Sequence, residues 1–388
     1  MPVDLRTCLA ALVAQDGSDL HLKVDRPPLG RIDGVLRPLM ADHPPLTAAD
    51  TEGVLQAMLR DDEARAAFAA EDEMDLAHQE PGIARLRVNA FRQRGHVSIV
   101  CRVVPDEPRS IEELGLPPVI GELADEERGL VLVTGITGSG KSTTLAGMVD
   151  RINRARECHV VTIEDPIEML HTDRKASINQ REVGADTRGF GQALRRVLRQ
   201  DPDVILIGEL RDEETVRAAL SAAETGHLVL STVHTLDATG AVDRLVGFFP
   251  PHQHQQIREA LALTLQGVVS QRLVPLAAGK GRLAVCEVLR ATGLVRDIVR
   301  DSARLGELSQ VIAEGKHYGM QTFDQALCRF VLDGRVSHDD AMRAAARPHD
   351  LELLLRADGR MGTSMDDVAD QQRRAAGGEE RETALPAV

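Results

Sequence analysis

The chain has 388 residues, of which 43% are hydrophobic and 27% charged, so it can bury one large or two ordinary globular cores and is not disordered throughout. A net charge of −14 and an aromatic content of 2%, with no Trp, argue against a nucleic-acid-binding protein, which needs a basic surface and stacking rings. No apolar run approaches roughly 18 residues, the length of a membrane span, and none follows Met1 as a signal segment, so we expect a cytoplasmic protein.

Helical and strand patterns are mixed in the first hundred residues. Alternating polar and apolar residues indicate strands, and an Asp-Gly pair between apolar residues favours a tight hairpin turn. The predicted elements are a helix over residues 5–13, a strand over 19–24, a hairpin at Asp33-Gly34, a helix over 47–68 and strands within 85–104. We therefore predict a smaller α+β domain over residues 1–104, followed by a proline-containing linker over residues 105–118.

Beyond the linker, short buried strands alternate with amphipathic helices. Short apolar runs bounded by Gly or Asp are typical of parallel strands that are covered on both faces. Such runs occupy residues 130–134, 159–163, 204–207 and 228–231, and a last strand is predicted over residues 283–289. We predict an α/β domain over residues 119–355 with a helical C-terminal part, and a disordered tail over residues 356–388.

The sharpest motif is a phosphate-binding loop. Residues 135–142 read Gly-Ile-Thr-Gly-Ser-Gly-Lys-Ser, the G-x-x-x-x-G-K-S pattern, and they follow a predicted strand and precede a predicted helix. Glycines let the backbone turn its amides towards a β-phosphate, Lys141 can reach the β- and γ-phosphate oxygens, and the Ser142 hydroxyl can bind Mg²⁺. The residues predicted to bind the nucleotide are Gly135, Thr137, Gly138, Ser139, Gly140, Lys141, Ser142 and Thr143.

Two acidic residues follow predicted strands and are candidates for the chemistry of hydrolysis. Glu209 comes two residues after the apolar run 204–207, where an acid on a neighbouring parallel strand holds Mg²⁺, directly or through water. Glu168 ends the segment 164–168, Glu-Asp-Pro-Ile-Glu, and could orient or activate the attacking water. Acids in such positions are otherwise usually solvated helix caps, and the phosphate-binding loop favours the functional interpretation.

A histidine stands at the end of another predicted strand. His234 follows the run 228–231, at the carboxyl edge where ligands bind in open α/β sheets, and it could sense the γ-phosphate or transfer a proton. A structural hydrogen bond is an equally weighted alternative. Zinc is not predicted, because His227 lies at the opposite end of the strand and no cysteine is nearby in the sequence.

Together these motifs resemble those of the pilus retraction ATPases of twitching motility (PilT-like), members of the type II/IV secretion ATPase superfamily. The matching blocks are residues 135–144 (Walker A), 162–168 (acidic box), 207–212 (atypical Walker B) and 226–235 (histidine box). The resemblance covers nearly the full chain. It implies a RecA-like P-loop ATPase core preceded by a PAS-like domain, a homohexameric ring, and a site at which Lys141, Glu168, Glu209 and His234 act on ATP and Mg²⁺.

Arginines are expected to complete the site, because the charge that develops on the γ-phosphate exceeds what one lysine and Mg²⁺ neutralise. The resembling family has nucleotide-contacting arginines in the region of Arg85, Arg87 and Arg102. Arg85 and Arg87 share one face of a predicted strand, since residues i and i+2 point the same way. Solvated surface charge is an equally weighted alternative for all three.

The resemblance also implies a function. The chain would be a motor that hydrolyses ATP to power type IV pilus retraction and twitching motility. Its partners would be an inner-membrane platform protein, the pilin fibre that it disassembles and a paralogous pilus ATPase, all reached from the cytoplasmic face of the inner membrane. No nucleic-acid partner is expected.

Other functions remain open. Residues 294–299 read Leu-Val-Arg-Asp-Ile-Val where retraction enzymes carry an Ala-Ile-Arg motif, and residues 323–327 with the tail resemble the accessory retraction paralogue (PilU-like). A pilus extension or secretion ATPase is a second alternative, although the tetracysteine insertion common in those enzymes is not in this sequence. A third alternative is a nucleotide-binding scaffold that turns over little ATP. The least favoured alternative is a DNA-translocating motor, because the net charge is strongly negative.

Overall fold

The computed structural model describes residues 3–32, 34–40, 43–59, 61–104, 107–279 and 281–361. The strands of this part of the chain are β1 Asp19–Lys23, β2 Leu29–Ile32, β3 Val35–Pro38, β4 Glu73–Glu80, β5 Ala84–Gln93, β6 His96–Val104, β7 Gly129–Thr134, β8 His159–Glu164, β9 Ser177–Glu182, β10 Val204–Ile207, β11 Leu228–Val233, β12 Leu265–Pro275 and β13 Arg282–Arg290. No helix of the described residues is long and apolar enough to cross a membrane.

The helices of the described residues lie beside the first strands, between most of the strands from β7 to β12, and after β13. They are α1 Leu5–Val13, α2 Ala48–Met58, α3 Asp62–Glu71, α4 Pro118–Ala124, α5 Lys141–Ala155, α6 Phe190–Val197, α7 Glu213–Glu224, α8 Ala238–Gly247, α9 His254–Thr264, α10 Gly293–Arg300, α11 Leu308–Glu314, α12 Phe323–Leu332, α13 His338–Ala344 and α14 Pro348–Met361. The predicted change from an α+β to an α/β pattern is therefore confirmed.

The described chain divides into two compact units. The first contains the residues up to Ser110 together with Leu145–Leu210, and the second contains Ile111–Thr144 together with the described residues from Arg211 onward. Strands of the predicted α/β domain therefore occur in both units. The sequence boundaries at residues 104, 119 and 355 stay predictions.

The first unit contains a six-stranded antiparallel sheet with the order β3-β2-β1-β6-β5-β4. Leu20 and Leu22 of β1, Leu86 of β5 and Ile99 of β6 are buried and pack with apolar residues of α1 and α2 in one core. The predicted hairpin forms between β2 and β3, where Ile32 faces Val35. Antiparallel strands with helices beside them make this the predicted α+β part.

The first unit also contains three parallel strands in the order β10-β8-β9. Ile207 of β10 lies opposite Ile163 of β8, and Glu164 of β8 lies opposite Glu182 of β9. The carboxyl ends of the three strands are thus aligned, so the segments that follow them emerge at one edge.

The second unit contains four strands in the order β13-β12-β7-β11. Strand β7 is parallel to both β11 and β12, with Thr134 opposite Val233 on one side and Ser270 on the other. All residues of β7 and β11 are buried, as the apolar runs predicted. Behind β12 and the antiparallel strand β13 lies a second core, which includes Phe323 and Leu327 of α12.

Several elements differ from the sequence predictions. Residues 47–68 form two helices, α2 and α3, with Leu59 between them in an extended conformation. Strands β4, β9 and β12 were not predicted, because their apolar residues are interrupted by charged or amide side chains. Helix α14 continues to Met361, beyond the predicted start of the tail at residue 356, and residues 362–388 lie outside the described part.

Candidate active site

The loop between β7 and α5 has a backbone that requires glycine. Gly135, Gly138 and Gly140 have φ angles of 140°, 77° and 91°, in a region that other residues rarely adopt. A Cβ atom added to Gly135 would lie 2.4 Å from the backbone oxygen of Gln271, so no side chain fits there. Around Gly138, in contrast, a Cβ atom would meet nothing within 4 Å, so the backbone at the loop's tip is open to a close ligand.

Lys141 is the first residue of α5, and its side chain is buried against the loop. Its Nζ donates hydrogen bonds to the carbonyl oxygens of Gly135, at 2.9 Å, and Ile136, at 3.0 Å. The ammonium group is thereby kept within the phosphate-binding loop. Ser142 and Thr143 follow in the first turn of α5 and are partly exposed.

A cavity of about 440 Å³ brings the loop and the histidine box together. It is lined by Ile136, Thr137, His234, Thr235 and Leu236. Because Val233 lies opposite Thr134, His234 and the phosphate-binding loop leave neighbouring parallel strands at the same edge. His227, at the other end of β11, is held by the Ala222 carbonyl at 2.9 Å, a structural bond remote from this edge.

The acidic box is held by a network that the sequence analysis did not identify. Burial raises the pKa of the Glu164 carboxyl, which accepts hydrogen bonds from Thr162 Oγ1 at 2.6 Å and from the backbone N–H of Glu168. Gln180 of β9 donates to the Met169 carbonyl at 2.8 Å and accepts from the His171 N–H at 2.8 Å. The loop that carries Glu168 is therefore fixed to the end of β8 and to β9.

The three candidate arginines have different surroundings. Arg85 Nη2 lies 2.8 Å from Glu182 Oε2 in a pair whose side chains are 17% and 8% exposed, and Glu182 also accepts from the Ile167 N–H at 3.2 Å. Arg102 Nε donates to Asp19 Oδ1 at 2.8 Å. Arg87 Nη1 lies 3.9 Å from Glu168 Oε1, and both of these side chains are about half exposed.

The different partners of these arginines indicate different roles. Arg85 is half of a buried ion pair, and removing one partner of such a pair costs about 3–5 kcal/mol because the other charge is left buried and uncompensated. Arg87 is the one of the three that faces a predicted catalytic acid within its own unit. The expected i, i+2 geometry is present, since Arg85 and Arg87 both contact the acidic box or its neighbouring strand.

Glu209 lies two residues beyond β10 and is partly exposed. The preceding Gly208 donates its N–H to the Ile163 carbonyl at 2.8 Å, which extends the β10–β8 pairing by one residue. Glu209 therefore leaves β10 at the same edge from which the acidic box leaves β8. The described residues contain no group of three His, Cys, Asp or Glu side chains that could hold a metal ion by themselves.

A buried acid supports the segment that carries His234. Glu287 of β13 accepts a hydrogen bond from the N–H of Ala238 at 3.0 Å, at the start of α8. Burial raises the pKa of Glu287, Asp237 and Asp324 also raise it, and the Ala238 bond and Arg272 lower it, so that the pKa lies at about 7. Glu287 was not predicted from the sequence, because the residues around it in the strand do not indicate that its partner is the start of a distant helix.

This raised pKa predicts a pH-dependent stability. Between about pH 4.5 and 7 the unfolded chain has released the Glu287 proton while the folded chain retains it, so the group's contribution to the free energy of unfolding falls as pH rises. The slope is about 1.4 kcal/mol per pH unit. In denaturant unfolding, Glu287→Gln should therefore gain stability relative to the unsubstituted chain from pH 5 to pH 8. A stability difference that is the same at both pH values would contradict this.

The α/β arrangement and the G-x-x-x-x-G-K-S loop between β7 and α5 define a P-loop nucleoside triphosphatase. Residues 5–343 match the family described as type II/IV secretion system protein. The chain belongs to this family and is a PilT-like ATPase within it.

Individual relatives and a solved structure indicate which members of the family the chain resembles. The chain is 43% identical over 346 residues to the type IV pilus retraction ATPase PilT of Pseudomonas aeruginosa, covering 89% of this chain and 99% of that protein. It is 41% identical over 354 residues to the type IV pilus ATPase PilU of the same organism, covering 91% and 92%. A crystal structure of the pilus retraction motor PilT with bound ADP has a TM-score of 0.83 and 39% identity, covering 90% of this chain and 99% of that one.

Proposed function

We propose that the chain is a Mg²⁺-dependent ATPase motor that powers type IV pilus retraction as a homohexameric ring. The observation that carries the proposal is the phosphate-binding loop, whose glycine conformations and enclosed Lys141 ammonium suit a triphosphate. The retraction activity is proposed because the full-length relative with 43% identity is a retraction ATPase.

The proposed roles follow from the position of each residue in its own unit. Lys141 and the loop amides bind the β- and γ-phosphates, and His234 senses the γ-phosphate or transfers a proton at the cavity that it shares with Thr137. Glu168 orients or activates the attacking water. Arg87 is our candidate for the arginine that contacts the nucleotide of a neighbouring subunit. Arg85 serves as a structural partner of Glu182, and Arg102 as a partner of Asp19.

Magnesium fits the donor set of the site. Mg²⁺ prefers oxygen ligands, retains several waters and is usually bound through one or two protein groups together with substrate phosphates. We propose the Ser142 hydroxyl as one such ligand and the Glu209 carboxylate as another, the latter directly or through water; each residue is partly exposed in its own unit. The ion would neutralise charge on the transferring phosphoryl group.

The proposed partners are an inner-membrane platform protein, the pilin fibre and a paralogous pilus ATPase, without nucleic acid, at the cytoplasmic face of the inner membrane. The second candidate function is that of the accessory paralogue, which the 41% identity to PilU favours. In the segment 294–299, Arg296 donates to the carbonyls of Ala262, at 2.6 Å, and Leu263, at 3.0 Å, and so closes the end of α9. This role within the chain does not distinguish the two candidates.

Deleting the gene from its host tests the proposal. If the protein drives retraction, surface fibres should accumulate while twitching movement stops, and a Lys141→Ala copy should fail to restore movement. Loss of the fibres altogether would instead identify an extension or secretion ATPase. Unchanged fibres and movement while a second retraction ATPase remains would identify the accessory role.

A further inference from the structure

We infer that Gln271 of β12 is a positioning residue that holds the phosphate-binding loop in its binding conformation; this inference rests on the proposed nucleotide site. The Gln271 side chain is buried, and its Oε1 accepts a hydrogen bond of 2.7 Å from Thr144 Oγ1 in the first turn of α5. Residues 144 and 271 are 127 positions apart in the chain. Nothing in the loop motif itself indicates this contact.

Gln271 reaches the loop at both of its ends. Its backbone oxygen would be 2.4 Å from a Cβ atom added to Gly135, the first glycine of the motif, and its Nε2 would be 2.8 Å from a Cβ atom added to Gly140, the last. Of the intervening residues, 136–138 are exposed and Ser139 is buried. One residue of β12 therefore lies against both ends of the loop, while residues 136–138 between them are exposed.

Such support matters because the loop is rich in glycine. Glycine loses more conformational freedom on ordering than any other residue, so an unsupported loop would have to be ordered at the expense of binding energy. A contact that orders the loop before the ligand arrives raises affinity without touching the ligand. We expect Gln271 to affect nucleotide affinity rather than the chemical step.

The test measures the Kd for a fluorescent ATP analogue, together with kcat and KM for ATP, on the purified full-length protein. Gln271→Met keeps the length of the side chain and removes its polar atoms, and Thr144→Val keeps the shape and removes the donor. Each should weaken nucleotide binding by about 5- to 30-fold, because a buried partner is left unsatisfied and the loop loses its support. The value of kcat at saturating ATP should change less than about twofold.

Two comparisons distinguish a role of Gln271 in positioning the loop from a role in the stability of the folded protein. Both substitutions break the same hydrogen bond, so the Kd of the double variant should be no higher than that of the single variant with the higher Kd. If the two residues contributed independently, their fold-changes in Kd would multiply. Ser270→Ala is the matched control: it removes the buried 2.9 Å bond from Thr134 Oγ1 to Ser270 Oγ on the same strand, and should lower Tm without changing Kd. Thr144→Ser should recover most of the affinity that Thr144→Val loses, and this pair decides the question if Gln271→Met does not fold.

An unchanged Kd in Gln271→Met and Thr144→Val, with only Tm lowered, would overturn the inference and leave the nucleotide site intact. Multiplying effects in the double variant would also overturn it. If the unsubstituted chain bound no nucleotide, the proposed function itself would fail, and the inference with it.

Discussion

Replacing Lys141 with Ala should reduce ATP turnover by about 100-fold or more. A preorganised charge that stabilises a developing negative charge typically contributes two to three orders of magnitude to the rate, and Lys141 is the cation held within the loop. The substitution also removes the two hydrogen bonds to the carbonyls of Gly135 and Ile136. Phosphate release by the purified full-length protein measures the effect.

The chain provides a matched control for this experiment. Lys316 is an exposed lysine in the short 3₁₀ segment Gly315–Tyr318, so Lys316→Ala removes the same charge at a site without a phosphate-binding loop. It should retain turnover close to that of the unsubstituted protein. Turnover that survives Lys141→Ala at the control level would refute the assignment of the nucleotide site and, with it, the proposed motor.

The loop and the strand ends could be predicted because their signals are local. Glycine at positive φ, a lysine at fixed spacing and short apolar runs each reflect the physics of a few neighbouring residues. For the same reason His234 and the acidic box were predicted at strand ends and Lys141 beside the start of a helix, where the structure has them.

The strands that were missed have polar residues for structural reasons. Strands β4 and β9 are edge strands of their sheets. An edge strand has a neighbouring strand on one side only, so polar side chains are tolerated there. Strand β12 has neighbours on both sides, and each of its three polar residues has a separate partner. Ser270 bonds to Thr134 of β7, Gln271 bonds to the first turn of α5, and Arg272 packs on Phe323 of α12. A one-dimensional pattern cannot distinguish a polar residue that supports a distant loop from one that faces water.

The partners of the acidic box could not be predicted either. Glu182 binds Arg85 across 97 positions of sequence, and only the fold shows which of three similar arginines is buried in an ion pair. This distinction changes how a substitution is interpreted. Loss of activity in an Arg85 variant would first indicate a disturbed acidic box, whereas loss in an Arg87 variant with unchanged stability would indicate a function at the nucleotide.

Replacing Glu168 with Gln should stop turnover while preserving nucleotide binding. A positioned general base typically contributes about 10²- to 10⁴-fold to a rate, and an amide of the same shape cannot take a proton. Because the Glu168 side chain is half exposed and its loop is fixed through Glu164, Gln180 and Glu182, the substitution should leave Tm unchanged. The expected result is therefore a fall in kcat of at least 100-fold with the Kd for ATP within about threefold.

A second acid in the connection between β8 and β9 provides the control. Asp173 Oδ1 accepts the Ile178 N–H at 3.1 Å, and Asp173→Asn keeps an oxygen for that bond while removing the same unit of charge. If Glu168 acts only through its negative charge in the loop, Asp173→Asn should slow turnover in proportion. If Glu168 activates the water, only Glu168→Gln should do so. Turnover in Glu168→Gln above one tenth of the unsubstituted rate would exclude Glu168 as the base, and the other acid at that strand edge, Glu209, would then be the residue to test.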